Sequence, residues 1–328
     1  MEVWVIYGED VESAVDLAYE VRRMMSEAGK MDIPLKVVKP EQFDILATEE
    51  NRDSILLNGE HVPLPDFVFP YLSENDRNFF SFAIIRQLQQ LGVPVFNTAK
   101  TIETVGDKLH THQILAQSKI PTPITLLAKF PVNIELVEES IGFPLVVKTR
   151  LGSNGSGVFL IEHAAAFKDL MNLVEETNPN IQLIFQKFVA ASKGRDLRLF
   201  VVEGEVIAAM ERRAQEGEFK ANYSTGGSVL AFEPDAEAVD LAVRTADILN
   251  IQVAGVDLLF TEDGYTICEA NTFPGFKGLE QATGSNIPKF IFEAMQRKLS
   301  SENRTTKTLE VSDIPPQQPA AAQSASLS

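Results

Sequence analysis

The segment GVDLLFTEDGYTICEAN, at residues 255–271, limits the possible folds of this chain more than any other. Two runs of residues with the alternation and β-branched content of strands flank a short polar stretch. The polar residues 262–264 are typical of a three-residue hairpin loop that ends in a left-handed glycine. This loop pairs Thr261 with Tyr265 and thereby sets the register of every later pair. The sequence therefore predicts an antiparallel hairpin.

Three oxygen-bearing side chains fall on one face of this hairpin. The predicted register pairs Asp257 with Glu269, and strand alternation places Asn271 on the same face. Asp257 lies within the apolar run 253–260, where an unpaired carboxylate is costly and a second carboxylate adds repulsion. A hard divalent cation such as Mg2+ removes both penalties. The alternative is a solvated strand face that carries ordinary acids, but the apolar flanks and Asn271 favour a metal site.

A glycine-rich segment lies between two other strand-like runs. Lys148 ends the run FPLVVK, and Gly152, Gly155 and Gly157 follow it in TRLGSNGSGVFLI. Backbone N–H groups of such a loop can surround phosphate oxygens, while the lysine adds a positive charge. The segment matches neither the Walker A nor the Rossmann pattern, because a strand-like run rather than a helix follows the glycines. Taken alone, such a loop is most often a mobile hairpin tip.

A third signal is a basic patch in an acidic chain. The sequence GRDLR at residues 194–198 is followed by ERRAQEGEFKANYSTGG at residues 211–227, which carry the basic or amide side chains of Arg212, Arg213, Lys220 and Asn222. Such a patch suits polyphosphate or carboxylate ligands. A network of salt bridges with nearby acids explains the composition equally well.

Composition excludes several classes of protein. The formal net charge is −17 over 328 residues, which argues against a nucleic-acid-coating protein. We find no apolar run of membrane-spanning length and no basic, apolar start typical of a secretory signal. A single cysteine, Cys268, rules out an intrachain disulfide framework and favours a reducing cytoplasm, and its strand position predicts a core side chain. The four histidines lack zinc-site spacing, so they are assigned no role.

The order of elements predicts at least two folded parts. The first 96 residues alternate strand-like and helix-like runs, ending with the short strand-like VPVFN, and predict an open α/β domain with a mostly parallel sheet. From Asn97 the chain contains several hairpin signals, which predict antiparallel sheet. Residues 301–328 are rich in Ser, Pro, Gln and small residues and are predicted to be a disordered tail.

The glycine-rich loop, the basic patch and the metal hairpin, in this order along the chain, resemble the ATP-grasp superfamily, and specifically its RimK-type ligases. The resemblance covers residues 1–299, and its most specific stretch runs from GRDLRLFVVEGEVIAAMERRAQEGEFKAN through VAGVDLLF to CEANTFPGFKGLEQATG. It implies an ATP-grasp fold of the α/β plus α+β class. An open N-terminal α/β domain at residues 1–96 then precedes two lobes, at residues 97–185 and 186–300, that clamp ATP.

The resemblance also implies ATP and Mg2+ as cofactors, with Mn2+ as an alternative metal. The family's two triphosphate lysines correspond to Lys108 and Lys148, and its arginine near the transferred phosphoryl group corresponds to Arg212. Its phosphate-covering loop corresponds to Gly152, Gly155 and Gly157. Its adenine, ribose and remaining nucleotide contacts correspond to Lys187, Phe188, Asp196, Lys220 and Asn222. Its magnesium ligands correspond to Asp257, Glu269 and Asn271.

The implied reaction joins an amino acid, commonly glutamate, to a carboxylate. ATP phosphorylates the acceptor carboxylate, and the amine of the second substrate then attacks the acyl phosphate to form an amide. The acceptor can be a small acid, a peptide or a protein C-terminus. Tyr71 and Thr225 replace basic residues of the relative that modifies a ribosomal protein, so fewer positive charges are expected for a carboxylate-rich acceptor and a small acid or peptide is favoured. Lys187 stands where relatives often carry an acid.

An alternative from a different class is a nucleotide-binding regulator that has lost catalysis. The presence of both lysines and of all three candidate metal ligands argues against it. Neither nucleic acid nor membrane is expected as a partner, and the sequence leaves homo-oligomer formation open.

Overall fold

The computed structural model of the protein describes residues 1–12, 18–47, 54–127, 129–150, 157–221 and 226–312, with side chains described through Ser301. It contains three main sheets and one small sheet. The elements of the first part, in chain order, are β1 (Val3–Ile6), α1 (Ala18–Lys30), β2 (Leu35–Val38), β3 (Phe43–Ile45), β4 (Ile55–Leu57), β5 (Glu60–His61), β6 (Phe67–Pro70), α2 (Phe79–Gln90) and α3 (Ala99–Gly106).

The first sheet is parallel, as the β-α-β order predicts. Its strand order is β2-β1-β6, and every residue of β1 and β6 is buried, which is typical of a parallel sheet covered on both faces. The predicted strand in VPVFN is reduced to one parallel bridge between Val95 and Val68. The small antiparallel sheet β3-β4-β5 lies in the connection between β2 and β6.

The second sheet is antiparallel, with the order β7-β10-β8-β9. The elements of this part are α4 (Lys108–Gln117), β7 (Thr125–Leu127), α5 (Ile134–Ser140), β8 (Leu145–Thr149), β9 (Val158–Ile161), α6 (Ala164–Thr177) and β10 (Leu183–Lys187). Helices α5 and α6 cover one face of the sheet through a core that includes Val137, Phe167 and Phe185. The domain boundary predicted at residue 185 lies within β10, which ends at Lys187.

The third sheet is also antiparallel and has the order β13-β12-β11-β14-β15. Its elements are β11 (Arg195–Val202), β12 (Glu205–Arg213), β13 (Ser228–Ala231), α7 (Ala236–Ile248), β14 (Val253–Phe260) and β15 (Tyr265–Asn271), followed by α8 (Lys277–Thr283) and α9 (Ile287–Ser312). Helix α7 covers one face of this sheet. The opposite face carries the polar side chains described below.

The β14–β15 hairpin forms with a register that differs from the prediction near its loop. Phe260, rather than Thr261, pairs with Tyr265, and the pairing shifts by one residue between Asp257 and Leu258. This bulge restores the predicted pairing of Asp257 with Glu269. The two deviations cancel, so the predicted pairing of Asp257 with Glu269 is confirmed, although the predicted loop register is wrong.

The two ends of the chain share one hydrophobic core. Ile291, Phe292 and Met295 of α9 belong to the same buried cluster as Trp4 and Phe69 of the first sheet. Helix α9 continues to Ser312, past the boundary at residue 300 where the composition predicts the start of a tail. Within the described part of the chain, no helix is both long enough and apolar enough to cross a membrane.

The Asn97 side chain joins the first part of the molecule to the third sheet. Its Nδ2 donates to the backbone oxygens of Val253 and Thr272, both at 2.9 Å. Its Oδ1 accepts from the backbone N–H groups of Gln252 at 2.8 Å and Val253 at 3.0 Å. Because Asn97 is fully buried, these four contacts fix the start of β14, and thereby Asp257, relative to the first sheet.

Candidate active site

A cavity of about 850 Å³ lies between the second and third sheets, and the first part of the molecule closes one side of it. Ten of the residues predicted to form a site line this cavity: Lys108, Lys148, Lys187, Phe188, Asp196, Arg212, Lys220, Asp257, Glu269 and Asn271. Gly157 lies just outside it, at the start of β9, whereas Gly152, Gly155 and Asn222 lie outside the described residues. Side chains separated by more than a hundred residues in sequence therefore meet in one cavity.

Two arginines and two aspartates form one buried cluster on the third sheet, which we call the charged cluster (Asp196, Arg198, Arg212 and Asp257). Asp196 and Arg198 are two residues apart on β11 and share a face, Arg212 pairs with Asp196 from β12, and Asp257 pairs with Arg198 from β14. The cluster therefore follows directly from strand alternation and register in three neighbouring strands.

The charged cluster is held by charge-assisted hydrogen bonds. Arg198 donates to both oxygens of Asp257 at 2.7 Å, in a bidentate arrangement. Arg212 donates to Asp196 at 2.6 and 2.8 Å and to Asp257 at 2.8 Å. Burial on its own would raise the pKa of Asp257, but Arg198 and Arg212 outweigh it and hold that pKa below its usual value. Asp257 is therefore ionised at neutral pH.

Glu269 and Asn271 lie beside this cluster and differ from it in their contacts. Glu269 forms no ion pair with any described residue, and the buried Nδ2 of Asn271 makes no hydrogen bond. The predicted metal ligands therefore supply oxygen donors of the kind that Mg2+ prefers, and no contact holds the amide oxygen of Asn271 away from a cation. The oxygens of Asp257 are already shared with two guanidinium groups. Among the described residues, no three His, Cys, Asp or Glu side chains group as a metal site, so the amide of Asn271 is needed to complete a set of three.

Cys268 also lines the cavity, which corrects the expectation that it packs in the core. The bulge places Cys268 and Glu269 together opposite Asp257. Burial raises the pKa of the Cys268 thiol to about 11. The thiol is therefore protonated at neutral pH and is a poor nucleophile.

Lysines from the second sheet and from α4 line the opposite side of the cavity. Lys148 lies on β8 and Lys108 begins α4, whose N-terminus is capped by the Asp107 side chain through the N–H groups of Leu109 and His110. At the far end of the β8–β9 connection, Gly157 has a φ of +70°, and an added Cβ would lie 2.9 Å from the Thr149 side chain. Glycine is therefore required at this position for both backbone conformation and space.

His112 was assigned no role from the sequence, yet it belongs to a buried hydrogen-bonded group in the wall of the second sheet. Its Nε2 lies 2.7 Å from Nε2 of Gln186, and its Nδ1 is hydrogen-bonded to Oγ1 of Thr122. Gln186 also donates to Oγ1 of Thr125 at 2.9 Å. We call His112, Thr122, Thr125 and Gln186 the neutral cluster. Arg198 was likewise missed, although it lies in the GRDLR segment and two residues from Asp196.

The structure also locates the replacement at Tyr71. Its ring is buried, and its hydroxyl donates to the backbone oxygen of Pro274 at 2.9 Å. Arg77 lines the cavity nearby, with its guanidinium 4.8 Å from the ring centre of Phe273, and Lys277 lines it as well. Arg77 and Lys277 therefore place two cations near Tyr71, and Glu20 and Glu74 line the same part of the cavity. Arg213 forms an exposed ion pair with Glu211 at 2.9 Å and is not part of the cavity wall.

Comparison with known proteins identifies relatives of the whole described fold. The family model for RimK-like ATP-grasp domains matches residues 105–295, and the model for RimK PreATP-grasp domains matches residues 13–102. A probable alpha-L-glutamate ligase from Vibrio vulnificus strain YJ016 is 34% identical over 258 residues, which cover 78% of this chain and 85% of the relative. A protein of the same name from Psychromonas ingrahamii is 31% identical over 293 residues, covering 87% and 93% of the two chains.

Two solved structures share the fold at low sequence identity. The ATP-grasp ligase PsnB, complexed with a minimal precursor, Mg and ADP, superposes with a TM-score of 0.69 at 19% identity and covers 90% of this chain and 97% of its own. D-alanine–D-alanine ligase from Bacillus anthracis, complexed with ATP, gives a TM-score of 0.66 at 19% identity, with coverage of 92% and 99%.

Proposed function

The chain belongs to the RimK-like ATP-grasp family, whose members are ligases that form C–N bonds, and on this premise we propose that it joins an amino acid to a carboxylate acceptor with cleavage of ATP to ADP and phosphate. L-glutamate is the proposed amino acid, because the curated relatives are named probable alpha-L-glutamate ligases. The observation that carries the proposal is the convergence of the charged cluster, two lysines and three oxygen donors on one cavity.

The proposed reaction has two steps with no covalent enzyme intermediate. The γ-phosphoryl group moves to an oxygen of the acceptor carboxylate, which gives an acyl phosphate and ADP. The amine then attacks the acyl carbon, loses a proton and displaces phosphate, which gives the amide. Lys108, Lys148 and Arg212 are proposed to bind the phosphate oxygens and to stabilise the charge that moves between them.

Asp257, Glu269 and Asn271 would hold Mg2+ or Mn2+, and the bound ion would neutralise part of the charge of the triphosphate. The protein's own contribution is to orient these ligands. Arg198 holds both oxygens of Asp257, and the β14–β15 bulge places Glu269 opposite that residue. Lys187 and Phe188 are proposed to lie at the base, Asp196 at the ribose, and Lys220 with Asn222 at the remaining nucleotide contact. The glycine-rich loop that contains Gly152, Gly155 and Gly157 is proposed to cover the phosphates.

The acceptor is proposed to be a small acid, a peptide or a protein C-terminus. A peptide is compatible with this fold, since the structurally similar PsnB binds a precursor. Arg77 and Lys277 line the cavity next to the first part of the molecule and are available to a carboxylate of the acceptor. No observation favours the alternative of a catalytically silent nucleotide-binding regulator.

The test is ATP turnover by the purified chain. Phosphate release should rise only when a carboxylate acceptor and an amine are both present, and mass spectrometry should detect a product heavier by one glutamyl unit. Glu269→Gln should lower this turnover about a hundredfold or more, because it removes one negative charge from the proposed metal site beside the triphosphate. Glu262→Gln, in the exposed hairpin loop, is the matched control and should leave turnover unchanged.

A silent regulator would give a different result. It would bind ADP but release no phosphate with any pair of acid and amine from a broad panel. Glu269→Gln would then change nothing except binding of the metal. That outcome would overturn the proposed ligase activity.

A further inference from the structure

The segment that follows β15 holds a cation and an acid at the end of the cavity next to the first part of the molecule. The guanidinium of Arg77 lies 4.8 Å from the ring centre of Phe273, near the start of this segment. At the end of the segment, Oε1 of Glu20 accepts hydrogen bonds from the backbone N–H groups of Phe276 at 3.0 Å and Lys277 at 3.2 Å. Arg77 and Glu20 both line the cavity. One short segment therefore fixes two opposite charges in the same part of the cavity.

Arg77 differs from the arginines of the charged cluster because no acid pairs with it. Its Nε donates one long hydrogen bond, of 3.4 Å, to the backbone oxygen of Leu72, and it forms no ion pair with any described residue. Burial lowers its pKa, because the loss of water outweighs the attraction of the nearby carboxylates of Glu74 and Glu269. A guanidinium that has lost water without gaining an acid is unfavourable. Its planar group is therefore well suited to a bidentate ion pair with the carboxylate of a ligand.

Tyr71 and Phe273 hold the plane of the Arg77 guanidinium. The two rings meet edge to face with their centres 6.0 Å apart, and the Tyr71 hydroxyl donates to the backbone oxygen of Pro274 at 2.9 Å. The guanidinium in turn lies over the ring of Phe273. Tyr71 itself carries no charge, but it supports a cation that another position of the chain supplies.

The charges at this end of the cavity match a zwitterion better than an acid or an amine alone. The cations Arg77 and Lys277 and the acids Glu20 and Glu74 line it together. The acids repel a ligand that carries only carboxylates, and the cations repel a ligand that carries only an ammonium group. An α-amino acid carries both groups on one carbon, so it needs a cation and an acid near each other. Arg77 and Glu20 meet this requirement, whereas the side-chain carboxylate of L-glutamate lies farther from its amino group.

We propose that Arg77 binds the α-carboxylate of the amino-acid substrate and thereby selects α-amino acids over amines that lack this group. Tyr71 and Phe273 act as positioning residues for the guanidinium. Because the segment begins just after the candidate metal ligand Asn271, this arrangement directs the amino group towards the place where the acyl phosphate is proposed to form. Lys277, which is exposed, remains available to the acceptor. The inference rests on the proposed function, since it takes the amine donor to be an amino acid.

The test compares two amine donors that differ only in the α-carboxylate. L-glutamate carries this group, and γ-aminobutyrate has the same carbon chain and terminal carboxylate without it. With the acceptor that supports phosphate release in the turnover assay, the wild-type protein should show a kcat/KM for L-glutamate on the order of a hundredfold above that for γ-aminobutyrate. Arg77→Met should reduce this ratio to about threefold or less, through a loss of activity with L-glutamate alone.

Two further variants define the part that Arg77 plays. Arg77→Lys keeps the positive charge but not the planar pair of donors, so it should retain a ratio of about tenfold. Arg86→Met is the matched control, because Arg86 on α2 also lies over a ring, that of Phe79, but forms a surface ion pair with Glu103 and is not part of the cavity wall. It should keep the wild-type ratio.

L-glutamine shows which carboxylate Arg77 binds. It keeps the α-carboxylate of L-glutamate and has an amide in place of the side-chain carboxylate. Arg77→Met should therefore lower kcat/KM for L-glutamate and for L-glutamine by the same factor. A loss confined to L-glutamate would overturn the assignment, since Arg77 would then bind the side-chain carboxylate. An increase in the KM of the acceptor alone would overturn it as well.

The positioning role is tested by Phe273→Leu, which removes the ring under the guanidinium and keeps an apolar side chain. The KM for L-glutamate should rise, while kcat with saturating L-glutamate and kcat/KM for γ-aminobutyrate should stay close to wild type. A purely structural role would lower kcat/KM for both amines together, and that result would overturn the positioning role.

The outcomes separate this inference from the proposed function. Equal use of L-glutamate and γ-aminobutyrate by the wild-type protein would overturn the role of Arg77 and leave the ligase proposal intact. So would a preference for L-glutamate that survives Arg77→Met in a variant with an unchanged melting temperature. If no pair of acid and amine raised phosphate release, the ligase proposal and this inference would both be overturned.

Discussion

Two polar clusters at the cavity differ in charge, although the side that carries the neutral cluster also carries Lys108 and Lys148. The charged cluster on the third sheet joins two guanidinium groups to two carboxylates, and its formal charges cancel. The neutral cluster on the second sheet and α4 joins an imidazole, an amide and two hydroxyl groups. Both clusters are largely buried, and both depend on hydrogen bonds between residues far apart in sequence.

The difference in charge suits the two clusters to different kinds of binding. A balanced set of buried charges can exchange partners when a phosphate or a cation binds. The arginines can then pair with the phosphate, and the aspartates can pair with the cation. A set of neutral hydrogen bonds has no net attraction for charge, but it fixes which atom is a donor and which is an acceptor. The charged cluster therefore suits the binding of phosphates, whereas the neutral cluster fixes the direction of its own hydrogen bonds.

The largest expected effect comes from breaking the charged cluster at its centre. Arg212→Met leaves Asp196 without its bidentate partner and removes one of two cations from Asp257. Removing one partner of a buried ion pair costs about 3–5 kcal/mol, because the remaining charge is buried and uncompensated. We expect the free energy of unfolding, measured in urea, to fall by that amount and ATP turnover to be lost.

Arg213→Met is the matched control, since Arg213 is the next residue on β12 and faces the other way. Its ion pair with Glu211 is exposed on the arginine side, and solvent screens it. The variant should leave both stability and turnover close to wild type. If Arg213→Met lowered stability and turnover as much as Arg212→Met, burial of the ion pair would not explain the effect of Arg212→Met.

Much of the charged wall could be predicted from the sequence. Asp257 stands out because it interrupts a run of apolar, strand-forming residues, whereas Arg212 is indicated by the basic patch and Asp196 by the family resemblance. Strand alternation and antiparallel pairing then bring them to one face. Arg198 could have been found by the same rule, because it lies two residues from Asp196 on the same strand.

The neutral wall could not be predicted in the same way. Histidine, glutamine and threonine occur at many surface positions, so His112 and Gln186 give no signal in the sequence alone. They are 74 residues apart and meet only because α4 packs beside β7 and β10. The hydrogen bonds that define the amide orientation are therefore a property of the tertiary structure.

The fold was predicted more completely than its details. The α/β plus α+β class and the ATP-grasp family are confirmed by the family models and by the structural neighbours. The bulge beside Asp257 was missed, because a one-residue shift leaves no trace in a pattern of alternating residues. Helix α9 extends to Ser312 although residues 301–312 have the composition of a tail, because the helix continues from the packed residues Ile291 and Met295.

His112 makes the stability of the neutral cluster sensitive to acid. In the folded protein burial, reinforced by Lys148 and Lys108, lowers the pKa of His112 from its ordinary value of 6.5 to about 4, so the unfolded chain binds the proton more readily. The contribution of His112 to stability is complete above about pH 6.5 and is lost as the pH falls towards 4, by about 3 kcal/mol in total.

His112→Gln removes this titration and should flatten the dependence of the free energy of unfolding on pH between 6.5 and 4, relative to wild type. Urea titrations at several pH values measure it. The same substitution at His110, an exposed residue on α4, should reproduce the wild-type slope. If the free energy of unfolding changed with pH in the same way for His112→Gln and wild type, protonation of His112 would not destabilise the neutral cluster.

The smallest expected effect tests whether a neutral contact is worth less than a charged one in the same cavity. Thr122→Val removes the acceptor of the His112 Nδ1 proton and leaves that buried N–H without a partner. The cost should be about 1–2 kcal/mol in the free energy of unfolding, since a neutral group loses less than an ion when its partner is removed. Thr177→Val, at an exposed helix end, is the control and should change stability less. If Thr122→Val lowered the free energy of unfolding as much as Arg212→Met, the charge of a group would not determine how much its hydrogen bonds contribute to stability in these two clusters.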